Sequence, residues 1–427
     1  MNSIFKNIRL FVLPIACWLS ATFVMGQPAD TLSLVFVGDL MQHQTQINAA
    51  KVGKNKYSYE GCFDYVAPEL RRADLAIGNL EVTFGGQPYR GYPAFSAPDE
   101  YLQAISKAGF NLLLLANNHC LDRGNRGAER TLHLLDSMKI MHTGVFRDAE
   151  ERLHQYPLLV ERKGFRLVFL NYTYGTNGLR PASPLYVNYI DRGQIRKDVM
   201  KARMMCPDVI IACMHWGIEY EVLPRKGERE MAAYLLSLGV DHVIGGHPHV
   251  VQPLEVVVDS VTPSRHLVAY SLGNFVSNMS ARYTDGGMVV KMVLKKVAGR
   301  TRMVDCGYSY VWTSRPSVNR KGKFYVCPSG LLCYEGDKIG DENENSFLHT
   351  GLFLEKMSTG EKSLLKGNLS DAKKKCNESK KEINYVEKPE FNINCLNMNE
   401  KTHMSRYLDA VRKVVAPHAK GIKEYFF

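Results

Sequence analysis

Between Leu32 and about Leu294, short apolar runs alternate with longer amphipathic stretches. Leu32–Val37, Leu75–Ile77, Asn111–Ala116, Arg166–Asn171, Val209–Met214, His242–Ile244 and His266–Ser271 are compact apolar segments and read as strands. Tyr101–Ala108, Ala128–Met138, Gln194–Met205 and Glu228–Leu238 repeat their apolar residues at helical spacing. Gly239 follows the last of these, where a left-handed C-terminal cap is favoured. Lys163-Gly164, between two strand-like runs, predicts a hairpin turn. Strands alternating with helices predict an α/β layered fold.

After Lys296 the pattern changes. Val304–Trp312 and Phe324–Cys327 are still strand-like, but Asn- and Lys-rich polar sequence then takes over. Asp341–Asn345 and Asn368–Glu390 read as loops and solvated helices, and Arg406–Val415 as a short amphipathic helix. No internal repeat is present. The expected organisation is a leader over 1–26, a main domain over 30–295 and an appended region over 300–427.

The leader changes the picture of where the chain works. Lys6 and Arg9 precede an apolar run from Leu10 to Val24, which Gly26 and Gln27 end. That order of basic, apolar and small residues is the layout of a secretory signal, and the run is short for a stable span. The expectation is export to the periplasm or cell surface; an uncleaved N-terminal membrane anchor is the alternative. Hydrophobic residues make up 45% of the chain and charged ones 23%, which fits a globular protein and excludes wholesale disorder or many membrane spans. Removing Lys6 and Arg9 with the leader takes the formal charge from +11 to +9. A basic balance favours an anionic polymer or small anionic substrate, and export argues against nucleic acid. The ten cysteines show no dense disulfide framework, and several, such as Cys213, lie inside apolar runs where a buried small hydrophobe is the simpler reading.

The chemistry is concentrated at the ends of the strands. Val37 leads to Gly38-Asp39 and then His43, Ile77 to Gly78-Asn79-Leu80-Glu81, and Leu115 to Ala116-Asn117-Asn118-His119. Met214 leads to His215-Trp216-Gly217, Ile244 to Gly245-Gly246-His247-Pro248-His249, and Ser271 to Leu272-Gly273-Asn274-Phe275. In open α/β sheets the site lies beyond the carboxyl ends of the strands, so these groups are expected to converge. Carboxylate and imidazole together suit Mn, Zn or Fe better than Ca. Two such ions can activate a water and stabilise an in-line displacement, and a carboxylate placed like Glu81 could bridge them. Cys120 is the only thiol beside these strand ends, which argues against a thiolate-rich structural zinc site.

Taken in order, these motifs resemble those of the CapA family, associated with poly-γ-glutamate capsule synthesis and related in fold to calcineurin-like metallophosphatases. The match runs from about Leu32 to Leu294. It implies a layered metallophosphatase-like β-sandwich flanked by helices, with a C-terminal appended region. It also implies two divalent transition-metal ions held by Asp39, His43, Glu81, Asn118, His215, His247 and His249, with His119 as the acid near the leaving group. Asn79 and Asn274 become candidate substrate-binding residues. Two departures stand out: the Asp-x-His opening of the metallophosphatases is absent, since Leu40-Met41 follow Asp39, and Glu81 stands where an Asp is expected. The resemblance implies action on an anionic surface polymer alongside membrane-associated synthesis machinery. A non-catalytic polymer-binding or export accessory protein and a general exported phosphoesterase remain alternatives, so hydrolase, transferase and binding protein are all open at this point.

Overall fold

The computed structural model describes residues 31–258, 264–333 and 396–427. The leader, Asp341–Asn345 and Asn368–Glu390 lie outside the described residues. The chain first lays down four parallel strands, β1 (Thr31–Leu40), β2 (Leu75–Leu80), β3 (Leu112–Leu114) and β4 (Met141–Thr143). It then builds a second sheet from β5 (Leu158–Arg162), β6 (Phe165–Thr173), β7 (Val209–His215), β8 (His242–Gly246), β9 (Leu254–Val258) and β10 (Arg265–Ala269), in the order β9-β10-β8-β7-β6-β5. Finally it returns to the first sheet with β11 (Asn274–Val276), β12 (Gly286–Val297), β13 (Arg300–Ser314), β14 (Tyr325–Pro328) and β15 (Lys423–Glu424). The first sheet runs β14-β13-β12-β1-β2-β3-β4, with β11 beside β1 and β15 beside β13.

Pleating explains the layers. In β1, Leu34 and Phe36 enter a core between the two sheets while Val35 and Val37 enter another. In β6, Leu167 and Phe169 share the inter-sheet core with them, and Val168 and Leu170 face the opposite way. Successive side chains of a strand point to opposite faces, so a strand apolar on every position must be covered twice. The covers are helices. A short helix, α1 (Gln44–Ala50), comes directly after β1. Leu102 and Ile105 of α2 (Asp99–Ala108) and Leu132 and Leu135 of α3 (Gly124–Ser137) pack on the first sheet. Ile195 and Val199 of α4 (Arg192–Met204) and Leu235 of α5 (Lys226–Ser237) pack on the second. Each fully buried Leu or Phe contributes about 1.5–3 kcal/mol of transfer free energy. The result is a mixed α/β sandwich of two sheets with helices outside, as expected.

Local signals are honoured where they were legible. Lys163 and Gly164 both take positive φ, 48° and 80°, the backbone of a tight turn matched to strand twist, and β5 and β6 pair antiparallel across it. Gly239 has φ 96° just past α5. The C-terminal helix α6 (Met398–Val415) is longer than the expected Arg406–Val415. Its start is set by a reciprocal cap: Glu400 N donates to Asn397 Oδ1 at 3.0 Å, and Asn397 N donates to Glu400 Oε2 at 2.9 Å. Met404, Leu408, Val411 and Val415 of α6 join the inter-sheet core, and β13 pairs with β12 from Arg300 to Trp312. Among the described residues, Cys62, Cys120, Cys206, Cys213, Cys306 and Cys327 are free thiols, all buried except Cys206. No helix among the described residues is long and apolar enough to cross a membrane.

Candidate metal centre

The two sheets bring the ends of their parallel strands to one edge, and β1 makes room there. Up to Val37 it pairs with β12; from Asp39 it pairs with β11, and its register against β2 shifts between the same residues. Gly38 is the hinge of this switch. A Cβ on it would lie 1.8 Å from Gly273 O, a backbone atom that cannot yield. The close approach lets Asp39 N donate to Gly273 O at 2.9 Å and turns the Asp39 carboxylate into the crevice. On the other sheet, His247 and His249 follow β8 with φ 101° and 59°. Left-handed backbone at two non-glycine residues so close together is uncommon and concentrates at functional positions.

Five of the expected ligands converge. Glu81, His247 and His249 form one group and Asp39, Glu81 and His215 another, with the ligand atoms of each within 4.8 Å of one another. Glu81 belongs to both. All five side chains are buried. Glu81 Oε1 and His247 Nδ1 have no hydrogen-bond partner, although buried polar atoms are nearly always paired. Burial, and then the charge of Asp39, hold the Glu81 carboxyl well above its usual range. Burial, and then His247 and His249, push His215 well below the usual imidazole range, and burial takes His247 down to about 3. Neutral imidazoles beside two crowded carboxylates, with two orphaned atoms among them, are a donor set that fits divalent cations.

The remaining expected residues take distinct places. Asn118 Oδ1 lies 2.9 Å from His215 Nε2, at the edge of the second group. His119 stands outside both groups, its Nδ1 2.7 Å from Asp122 Oδ2. Asn79 lies behind the ligands: its Nδ2 donates to Asp39 Oδ1 at 2.8 Å and Glu81 Oε2 at 3.3 Å, so it spaces the two carboxylates. Asn274 is also fully buried, with its Oδ1 3.0 Å from His249 Nδ1. His43 is not brought into either group. It precedes α1, receives Asn278 N on its Nδ1 at 3.2 Å, and is driven down to about 4 by burial.

Sequence reading missed Asp122, Asn117 and Tyr174. Asp122 fixes the His119 ring, and its own carboxyl is raised by burial against the opposing contact with His119. An acid three residues after the Asn-His pair was the signal that could have found it. Asn117 Nδ2 donates to Asn79 Oδ1 and Leu80 O, tying the loop after β3 to β2. Tyr174 lies with its ring 4.4 Å from that of His247 and is half exposed, and Tyr92 and Tyr220 stand exposed near His119 and His249. Exposed tyrosines thus stand directly against the buried histidines.

Fold and site together define a two-sheet α/β protein with a buried carboxylate–imidazole centre able to hold metal. The chain belongs to the bacterial capsule synthesis protein family PGA_cap, whose model matches residues 33–279. It is 27% identical over 303 residues to the capsule biosynthesis protein CapA of Bacillus anthracis, covering 66% of this chain and 70% of that one. It is 28% identical over 285 residues to the PGA biosynthesis protein CapA of Bacillus subtilis (strain 168), covering 62% and 69%. Similar solved structures include the NAD nucleotidase of Haemophilus influenzae, at 14% identity and a TM-score of 0.42 over 69% of this chain and 59% of that one. Another is the calcineurin-like phosphoesterase YfkN of Bacillus subtilis, at 13% identity and a TM-score of 0.36 over 66% and 90%.

Proposed function

We propose that this protein acts, outside the cytoplasmic membrane, in the synthesis or processing of an anionic capsule polymer of the poly-γ-glutamate class, through a centre holding two divalent transition-metal ions. The observation that carries the two-ion reading is Glu81, common to both ligand groups and left with an unpaired oxygen. Family membership and the similarity to two capsule proteins, one of them a PGA biosynthesis protein, support the polymer.

In this reading Asp39, Glu81 and His215 hold one ion, Glu81, His247 and His249 the other, and Asn118 adds its amide oxygen. Bound there, the ions supply Lewis acidity and a lowered pKa for water. Asn79 keeps the two carboxylates apart and oriented. His119 carries a proton at the mouth, with Asp122 fixing the ring through Nδ1 so that Nε2 is left to serve a leaving group. Tyr92, Tyr174 and Tyr220 line the approach.

The test is the purified chain prepared without chelator, measured for metal content and for turnover on γ-glutamyl oligomers and on phosphate esters. Two ions per chain with turnover of γ-glutamyl chains is the expected result. Efficient cleavage of simple phosphate esters alone would make it a general phosphoesterase, and polymer binding without turnover an accessory protein. Failure to bind added Mn or Zn would overturn the proposal.

A further inference from the structure

After β6 the chain leaves the second sheet at Tyr174 and passes against Asn118 and His119 at Asn177 before reaching Leu185. It is fastened at two points, to the first turn of α3 and to the loop after β3. Asn125 Nδ2 donates to Ala182 O while Ala182 N donates back to Asn125 Oδ1 at 3.0 Å. Asn118 Nδ2 donates to Asn177 Oδ1 at 3.2 Å. The tip is held from beneath by the buried Thr176, whose hydroxyl donates to Leu179 O and meets Tyr189 Oη at 2.8 Å. Asn177 has φ 51°, a conformation asparagine tolerates better than most residues.

The contact with Asn118 has a chemical meaning. A carboxamide carries an acceptor oxygen and a donor nitrogen at nearly equivalent positions, and only its partners decide which points where. Asn118 can ligate a cation only with its oxygen inward, where it now faces His215 Nε2. Asn177 Oδ1 accepts from the outward NH2 and so selects that orientation. The Asn177 amide nitrogen also lies 3.5 Å from His119 Nδ1, so one side chain touches both the candidate ligand and the candidate acid.

We infer that Asn177, reaching across from the second sheet, is a positioning residue that locks the Asn118 amide with its oxygen toward the metal centre. This rests on the two-ion reading above. The test titrates metal-free protein with Mn²⁺ or Zn²⁺ by calorimetry. Asn177→Gly removes the side chain without straining a positive φ, whereas Asn177→Asp keeps the acceptor. The Gly variant should bind one of its two ions about 10- to 100-fold more weakly, as for loss of other partners that orient ligands. The Asp variant should stay close to wild type. In an Asn118→Asp background, where the two side-chain oxygens are equivalent, Asn177→Gly should cost nothing further. Wild-type affinity in Asn177→Gly, or a loss that persists in the Asn118→Asp background, overturns the inference. A wild-type chain that binds no metal would already have failed the two-ion reading, before any variant is compared.

Discussion

Glu81 should be the residue whose loss empties the whole centre. It is the one member common to both ligand groups, whereas His215 belongs to one and His247 to the other. Glu81→Gln keeps the shape and an oxygen for Asn79 but removes the charge that both ions would share. Taking away one partner of a buried charge pair costs roughly 3–5 kcal/mol, or a few hundred- to a few thousand-fold in affinity, and here the loss should fall on both ions. His215→Ala and His247→Ala should each weaken mainly one. The same substitution should act in the opposite sense on the metal-free protein. Through their shared contact with Asn79, the Asp39 and Glu81 carboxylates lie no more than about 6 Å apart. At an effective dielectric of about 20, two charges at that distance repel by roughly 3 kcal/mol. Above the pH at which Glu81 ionises, metal-free Glu81→Gln should therefore melt several degrees higher than metal-free wild type. Elemental analysis after equilibration with Mn²⁺, together with thermal melts with and without chelator, measures both. Two tightly held ions in Glu81→Gln, or equal losses in all three variants, would refute a shared carboxylate.

His119→Ala should lower turnover about 100- to 10,000-fold while leaving metal content near that of wild type; Asp122→Asn should move activity in the same direction, and His249→Ala should lose metal and activity together. Equal metal loss in His119→Ala and His249→Ala would make His119 a ligand. For pH, burial holds His242 and His247 at about 3 in the folded chain, against about 6.5 unfolded. Between those values the unfolded chain binds protons that the folded one does not, so stability rises with pH there and is unaffected by these groups above about 6.5. Urea midpoints of the metal-free protein should fall as pH drops from about 6.5 toward 3, and His242→Asn, which can still accept from Leu267 N, should flatten the slope. A midpoint independent of pH over that window would contradict the assignment.

How much of this could be read in advance depended on whether the signal was local. Strand ends such as Gly38-Asp39 and His247-Pro248-His249 announce themselves because glycines and metal-binding side chains have no reason to interrupt an apolar run otherwise. Their convergence followed from the general placement of sites beyond parallel strands. What sequence did not show was the division of labour among neighbours. Asn79 and Asn274 have the chemistry of substrate contacts, and only the pairing of β1 with β2 and β11 places their amides against Asp39 and His249. His43 is close to Asp39 in sequence but is carried off by the start of α1. The long strand β12 escaped reading as well. Lys291 interrupts its apolar pattern, and it is accommodated by an ion pair with Glu69 at 2.8 Å, a partner more than 200 residues away that no local pattern reveals.

The separation between the sheets' contributions has a consequence for when the centre can be filled. Asp39 and His249 touch at 3.2 Å although they are 210 positions apart in the sequence. An unfolded chain presents no such pair, so tight capture must wait until both sheets have closed. An ion taken up there would then be selected by the geometry and ligand types of the closed site and by whichever metals are available where the chain finishes folding, rather than by raw affinity alone. Were the proposed ions bound, their identity would record where the chain completed its folding.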